Sequence, residues 1–205
     1  MKVAIFASGT GSNFEALADD DALKKAGMEI MNLVCDQPGA PVIEKARQRN
    51  VPVTVIRLSD YDDRQHYEAA IVALLAPLQL DYILLAGYMR VITPVLLHAY
   101  PQRIINIHPS LLPAFSGLRS IERAYAAQVA ETGVTIHYID EGVDSGPMIV
   151  QAKVPLLPGD SLAALEQRVH DTEHAIYPQV VAELIKNQNR RSNSINEKSV
   201  GQCFR

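Results

Sequence analysis

Seven short runs of apolar, mostly β-branched residues recur along this chain, and stretches with helical spacing separate most of them. The runs fall at residues 3–7, 30–35, 51–56, 82–86, 103–107, 134–139 and 148–154. The helical stretches fall at 13–23, 42–50, 64–78, 94–99, 121–130 and 162–185. Strands that alternate with helices pair in parallel through right-handed crossovers, with helices packed on both faces of the sheet. The order therefore predicts an α/β fold: a Rossmann-like, mostly parallel twisted sheet. Only the turn-rich segment 140–147 separates the last two runs, which predicts a hairpin that adds an antiparallel C-terminal edge. Pro178, inside the last helical stretch, predicts a kink or a division there.

At 205 residues one domain with one sizeable core is the default, expected over residues 1–186. From Asn187 the chain reads Asn-Gln-Asn-Arg-Arg-Ser-Asn-Ser, polar and without periodicity, so 187–205 is expected to be a disordered tail that the activity does not need. A formal charge of −4 leaves no basic footprint for nucleic acid. No apolar run approaches a membrane span, and the first strand starts at once, with no signal-type segment before it. Cys35 and Cys203 build no disulfide framework, and no CxxC or Cys/His cluster points to zinc. Cys35 lies in an apolar run and reads as a buried thiol. The plain expectation is a cytoplasmic enzyme with no metal and no nucleic-acid or membrane partner. Monomer and homodimer both stay open.

The chemistry concentrates in Arg103-Ile104-Ile105-Asn106-Ile107-His108-Pro109. Strand side chains alternate, so Asn106 and His108 share one face and Ile105 and Ile107 take the other. The prolines that follow stop the sheet and start a loop. An amide donor beside a titratable ring at a strand end suits acyl-type transfer: the amide stabilises an oxyanion and the imidazole moves protons. A pair satisfied by local backbone is the competing reading, and the two stand about even on these residues alone. Asp144, in the turn-rich segment Asp140-Glu141-Gly142-Val143-Asp144, is either a turn cap or a carboxylate that favours the imidazolium form of His108.

Gly9-Thr10-Gly11-Ser12-Asn13 follows the first strand and opens the first helix. Glycines permit close approach there, and free N–H groups at a helix start favour an anion. The segment lacks the third glycine of GxGxxG and the lysine of a Walker loop, so it suits a phosphate monoester better than a dinucleotide. Ser12-Asn13-Phe14-Glu15 also matches a capping box. Gly87 and Met89 suggest an apolar slot for a planar ring, and Arg90 a partner for a carboxylate. Arg64 reads first as a surface ion-pair residue, His137 first as a packed strand residue, and Glu173 first as a solvated helix residue.

Taken together, FASGTGSNFEAL, LAGYMR, INIHPSLLPAF, ETGVTIHYIDEGVDSGP and EHAIYP resemble the folate-dependent formyltransferase family, in order, over residues 1 to about 186. The glycine-rich start with EHAIYP points to the branch that serves purine synthesis. The resemblance implies transfer of a formyl group from 10-formyltetrahydrofolate to the amino group of 5'-phosphoribosylglycinamide. It implies a catalytic trio of Asn106, His108 and Asp144, with Gly11, Ser12 and Asn13 on the substrate phosphate and Glu173 on the ribonucleotide. It further implies a folate site lined by Arg64, Met89, Arg90, Val91, Ile92, Asp140, Glu141, Gly142 and Val143, with His137 a further candidate. Ser116 stands where the family usually has proline, Arg119-Ser120 replaces a commoner His-containing pair, and Ala127-Gln128 a commoner Ala-Gly.

Two rivals follow from the same residues. A formyltetrahydrofolate hydrolase would use the same trio but is expected to carry an additional N-terminal domain. A non-catalytic nucleotide-binding regulator would keep the phosphate loop with no need for Asn106, His108 and Asp144.

Overall fold

A computed structural model describes the backbone of residues 1–200 and the side chains of residues 1–190. Within the described residues seven strands form one sheet: β1 (Lys2–Ala7), β2 (Glu29–Cys35), β3 (Val53–Val55), β4 (Tyr82–Leu85), β5 (Ile104–His108), β6 (Glu131–Tyr138) and β7 (Met148–Pro155). Their spatial order is β3-β2-β1-β4-β5-β6-β7. The first five pair in parallel, and β6 and β7 add the antiparallel edge. Among the described residues seven α-helices cover it: α1 (Ser12–Ala18), α2 (Asp21–Lys25), α3 (Pro41–Gln48), α4 (Arg64–Leu75), α5 (Pro94–Ala99), α6 (Ser120–Ala126) and α7 (Leu162–Val200).

Period-two alternation decides which residue faces which layer. In β1, Val3, Ile5 and Ala7 join the core under α1, α3 and α7, while Ala4 and Phe6 join the core under α4 and α5. In β5, Ile105 and Ile107 face the first of these layers and Ile104 the second. The intervening Asn106 and His108 therefore share the face of Ile104, as the sequence predicts. The buried Tyr177 of α7 ties that helix to the sheet, since its hydroxyl donates to the Leu85 and Ile105 carbonyls at 3.1 and 3.3 Å.

Some local expectations give way to tertiary contacts. The capping box at Ser12–Glu15 does not form: Gly11 is the N-cap and no side chain caps the helix. Glu15 instead reaches sideways to Lys45 on α3 at 2.6 Å and to Arg49, which caps the end of that helix, at 3.1 Å. The single helix expected over 13–23 is two, because Asp20 leaves helical geometry and its carboxylate caps Ala22 and Leu23 at the start of α2. The helix after β5 ends at Ala126 rather than Ala130, with Gln128 in left-handed geometry. Pro178 does not divide α7, which runs through it. That helix also continues past residue 186 to Val200, through the polar segment expected to be unordered, and Gln188 donates to Asp81 at 2.7 Å. The remainder of that segment, residues 201–205 with Cys203, lies outside the described residues. Cys35 is buried, as expected. Among the described residues no helix is long and apolar enough to cross a membrane.

Replacing Tyr177 with Phe keeps the packing and removes the donor shared by β4 and β5. The expected loss is about 1–2 kcal/mol of stability, read from urea denaturation.

Candidate active site

The chain reverses its winding direction between β1 and β4, and in such sheets ligands bind outside the carboxyl ends of the strands at this point. A cavity of about 400 Å³ opens there. Its walls come from the loops after β1, β4, β5 and β6 and from one face of α7. The size is ordinary for a small-molecule site.

The loop after β1 supplies Gly9, Thr10, Gly11, Ser12 and Asn13. Gly11 sits at φ 79°, and a Cβ there would lie 2.4 Å from Val42 Cγ2, so only glycine fits between the loop and α3. The N–H groups of the first turn of α1 have no acceptor within the helix. The Asn13 side chain is buried and donates to Glu173 Oε2 at 3.1 Å, while its Oδ1 has no partner among the described residues. Glu173 is itself 3% exposed, against its expected place as a solvated helix carboxylate. His170, one turn earlier on α7, meets Glu173 Oε2 at 2.9 Å. That hydrogen bond pushes the His170 ring above the usual imidazole range.

The catalytic candidates converge across β5 and β6. Asn106 pairs with His137 and His108 with Thr135 in the antiparallel register. His108 is buried, and its Nδ1 lies 3.4 Å from Asp144 Oδ2. Its Nε2 meets the Phe115 carbonyl at 3.1 Å. Both ring nitrogens therefore face oxygens that can only accept when Asp144 is ionised. Asp144 is at φ 54°, a left-handed geometry that Asp tolerates better than most residues. Its loop is shaped by Asp140, whose Oδ1 accepts from the Gly142 N–H at 3.0 Å and the Ser145 hydroxyl at 2.8 Å. Asp144 Oδ2 also accepts from the Gly117 N–H at 2.7 Å, which draws the loop after β5 over the site.

His137 lies inside this cluster rather than in the apolar core. Its Nε2 is 3.3 Å from Asn106 Nδ2 and 3.7 Å from Asp144 Oδ1. Burial pushes its ring below the usual imidazole range, outweighing the Tyr138 carbonyl bond and the Asp144 charge, which act the other way.

Met89, Arg90, Val91 and Ile92 line the other arm of the cavity, with Gly142 and Val143 opposite. Met89 and Val143 are 64% and 58% exposed, so together with Val91 they give the rim an apolar surface. The Arg90 guanidinium is paired to the buried Asp36 at 2.6 Å. The loops after β1 and β4 are linked, since Ser8 Oγ accepts from the Met89 N–H at 2.8 Å and Ser8 N donates to the Gly87 carbonyl at 3.1 Å. Three expected folate contacts stand off the wall. Arg64 reaches it only through the Val91 carbonyl at 3.3 Å. Asp140 acts through the loop it shapes, and Glu141 is exposed on that loop without lining the cavity.

Sequence reasoning missed His170 and the wall formed by Gly117, Leu118, Arg119 and Ser120. The departures at Ser116 and Arg119-Ser120 are absorbed there. Arg123 donates to the Ser116 carbonyl and lies over the Phe115 ring, and Arg119 takes left-handed geometry to start α6. The spacing of His170 and Glu173, three residues apart on one helix, is the signal that could have found the histidine. Among the described residues no group of three or more His, Cys, Asp or Glu side chains is arranged to hold a metal.

Comparison with known proteins fits this geometry. The family model described as Formyl transferase matches residues 1–181. The phosphoribosylglycinamide formyltransferase of Bacillus subtilis (strain 168) is 43% identical over 189 residues, covering 92% of this chain and 97% of that protein. The crystal structure of glycinamide ribonucleotide transformylase 1 from Geobacillus kaustophilus superposes with a TM-score of 0.85 at 50% identity, covering 90% of this chain and 98% of that one. Phosphoribosylglycinamide formyltransferase from Bacillus halodurans superposes with a TM-score of 0.87 at 44% identity, covering 90% and 95%.

The His170–Glu173 bond makes stability depend on pH. A ring with a raised folded-state pKa stabilises the fold fully below the unfolded value, about 6.5, and this contribution fades as pH rises through the folded value. Urea midpoints of wild type and His170→Ala measured across pH should therefore differ most in acid and converge toward alkaline pH. The half-exposed ring keeps the gap small.

Proposed function

The chain belongs to the formyl transferase family, and from that premise we propose that it transfers the formyl group of 10-formyltetrahydrofolate to the amino group of 5'-phosphoribosylglycinamide, a step of purine biosynthesis. The observation that carries this reading is the meeting, in one cavity, of an amide, an imidazole and a carboxylate with a helix-start loop of free N–H groups. The first set suits acyl transfer, and the loop suits a phosphorylated acceptor.

In this reading Gly11, Ser12 and Asn13 hold the acceptor's phosphate through backbone N–H groups, and Glu173 takes hydroxyls of its ribose. Met89, Val91, Ile92, Gly142 and Val143 accept the planar part of the folate. Arg90 and Arg64 serve its carboxylate end, with Arg64 also bracing the Val91 carbonyl. Asp140 and Glu141 contribute through the loop they belong to. The co-substrate needs no metal in this chemistry.

The unprotonated amine of the acceptor attacks the formyl carbon, and the carbonyl π bond becomes an oxyanion on a tetrahedral centre. Asn106 donates an N–H to that oxygen, and His108, charged beside Asp144, stabilises the same developing charge. Collapse of the intermediate breaks the bond to the folate N10. The proton lost by the attacking nitrogen passes to N10, with Asp144 relaying it through water. No covalent adduct with the enzyme forms. A cytoplasmic location and a monomeric or homodimeric state complete the reading.

Incubation with both substrates, and with each omitted in turn, tests it. Formylated acceptor should form only when both are present, whereas formate release without acceptor would identify a hydrolase. Asn106→Ala and Asp144→Asn should each lower kcat by about two to three decades. Full activity in either would remove that residue from the mechanism. Deletion of residues 190–205, which retains the Gln188–Asp81 bond, should leave the steady-state rate unchanged.

A further inference from the structure

We propose that His137 is a positioning residue: held as the neutral ring with its proton on Nδ1, it accepts a hydrogen bond from Asn106 through Nε2 and so sets which end of that amide faces the formyl oxygen. The inference rests on the reading of Asn106 as the oxyanion donor.

The geometry fixes the ring in steps. His137 Nδ1 lies 2.9 Å from the Tyr138 carbonyl. A carbonyl only accepts, so the proton sits on Nδ1. The ring is 1% exposed, in a place where a second proton is costly to desolvate. Neutral and protonated on Nδ1, the ring presents a bare lone pair at Nε2. Of the two groups near that lone pair, Asp144 Oδ1 stands at 3.7 Å, beyond hydrogen-bond reach, and when ionised it can only accept. Asn106 is 3.3 Å away and can donate. The amide therefore turns its nitrogen to His137, and that nitrogen keeps a second N–H for the substrate.

Asn106 and His137 are direct cross-strand partners of β5 and β6, so the backbone register itself sets the contact. Asp144 consequently lies between two rings with different tasks. His108 faces Asp144 Oδ2 and the Phe115 carbonyl. His137 faces the Tyr138 carbonyl and the amide. An Asn106 side chain free to flip would spend part of its time with its carbonyl oxygen toward the developing oxyanion, where it repels instead of stabilising.

Two measurements test this on the full chain. In long-range ¹H–¹⁵N spectra of protein labelled with ¹⁵N-histidine, with His137 assigned by loss of its signal in His137→Gln, the ring should be neutral with the proton on Nδ1 at neutral pH. A ring protonated on Nε2, or on both nitrogens, overturns the proposal. In steady-state kinetics His137→Leu should lower kcat by about 100-fold with both KM values nearly unchanged. His137→Gln can offer an amide oxygen to Asn106 and should recover most of that loss. Unchanged kcat in the leucine variant, or equal losses in both variants with parallel rises in KM, overturns it. An Asn106→Ala variant of full activity would instead refute the assignment of Asn106 itself.

Discussion

The connections on either side of β1 leave in opposite directions, so no helix crosses over the carboxyl ends of β1 and β4. The loops that follow β1, β4, β5 and β6 converge on this gap. The core accommodates this by burying β1 on both faces, with alternate residues committed to opposite layers. The position of the site is thus a property of the winding, and the side chains in it follow from which residues stand at the ends of those strands.

The polar cluster at the site is unusual for its depth. His108, His137 and Glu173 are all buried, and burial of titratable groups is tolerated only where each finds partners. Asp144 supplies part of this, meeting His108 with Oδ2, which also accepts a backbone N–H from the loop after β5, while His137 finds its partners in Asn106 and the Tyr138 carbonyl. On the opposite wall Glu173 accepts from Asn13 while meeting His170. Each carboxylate therefore joins elements that are distant in sequence. The cost of placing it there is offset by bonds that also fix the shape of the cavity.

Much of this was legible in the sequence because it depends on short-range periodicity. Alternation alone places Asn106 and His108 on one face, and strand–helix order alone gives the parallel sheet with its late hairpin. What was not legible depends on contacts between distant segments. Nothing near Glu15 announces that Lys45 and Arg49 will draw it away from the helix start. Nothing near His137 says whether its strand face meets core or cavity, since that depends on the register with β5. The wall from Gly117 to Ser120 depends on left-handed residues, and Arg119 at φ 53° carries no compositional sign of it. The polar stretch after residue 186 lacks an apolar stripe, yet it extends a helix already nucleated by the packed turns before it.

The hydroxyl of Ser8 gives the loop after β1 and the loop after β4 a common anchor. In the proposed reading the first loop faces the acceptor and the second the formyl donor, and these hydrogen bonds couple the order of one loop to that of the other. A ligand that orders one loop leaves less conformational freedom for the second ligand to remove, and the two affinities become thermodynamically linked. Such linkage is symmetric: whatever factor the donor imposes on acceptor binding, the acceptor imposes on the donor. In that reading one serine side chain lets the two halves of the site share an ordering step.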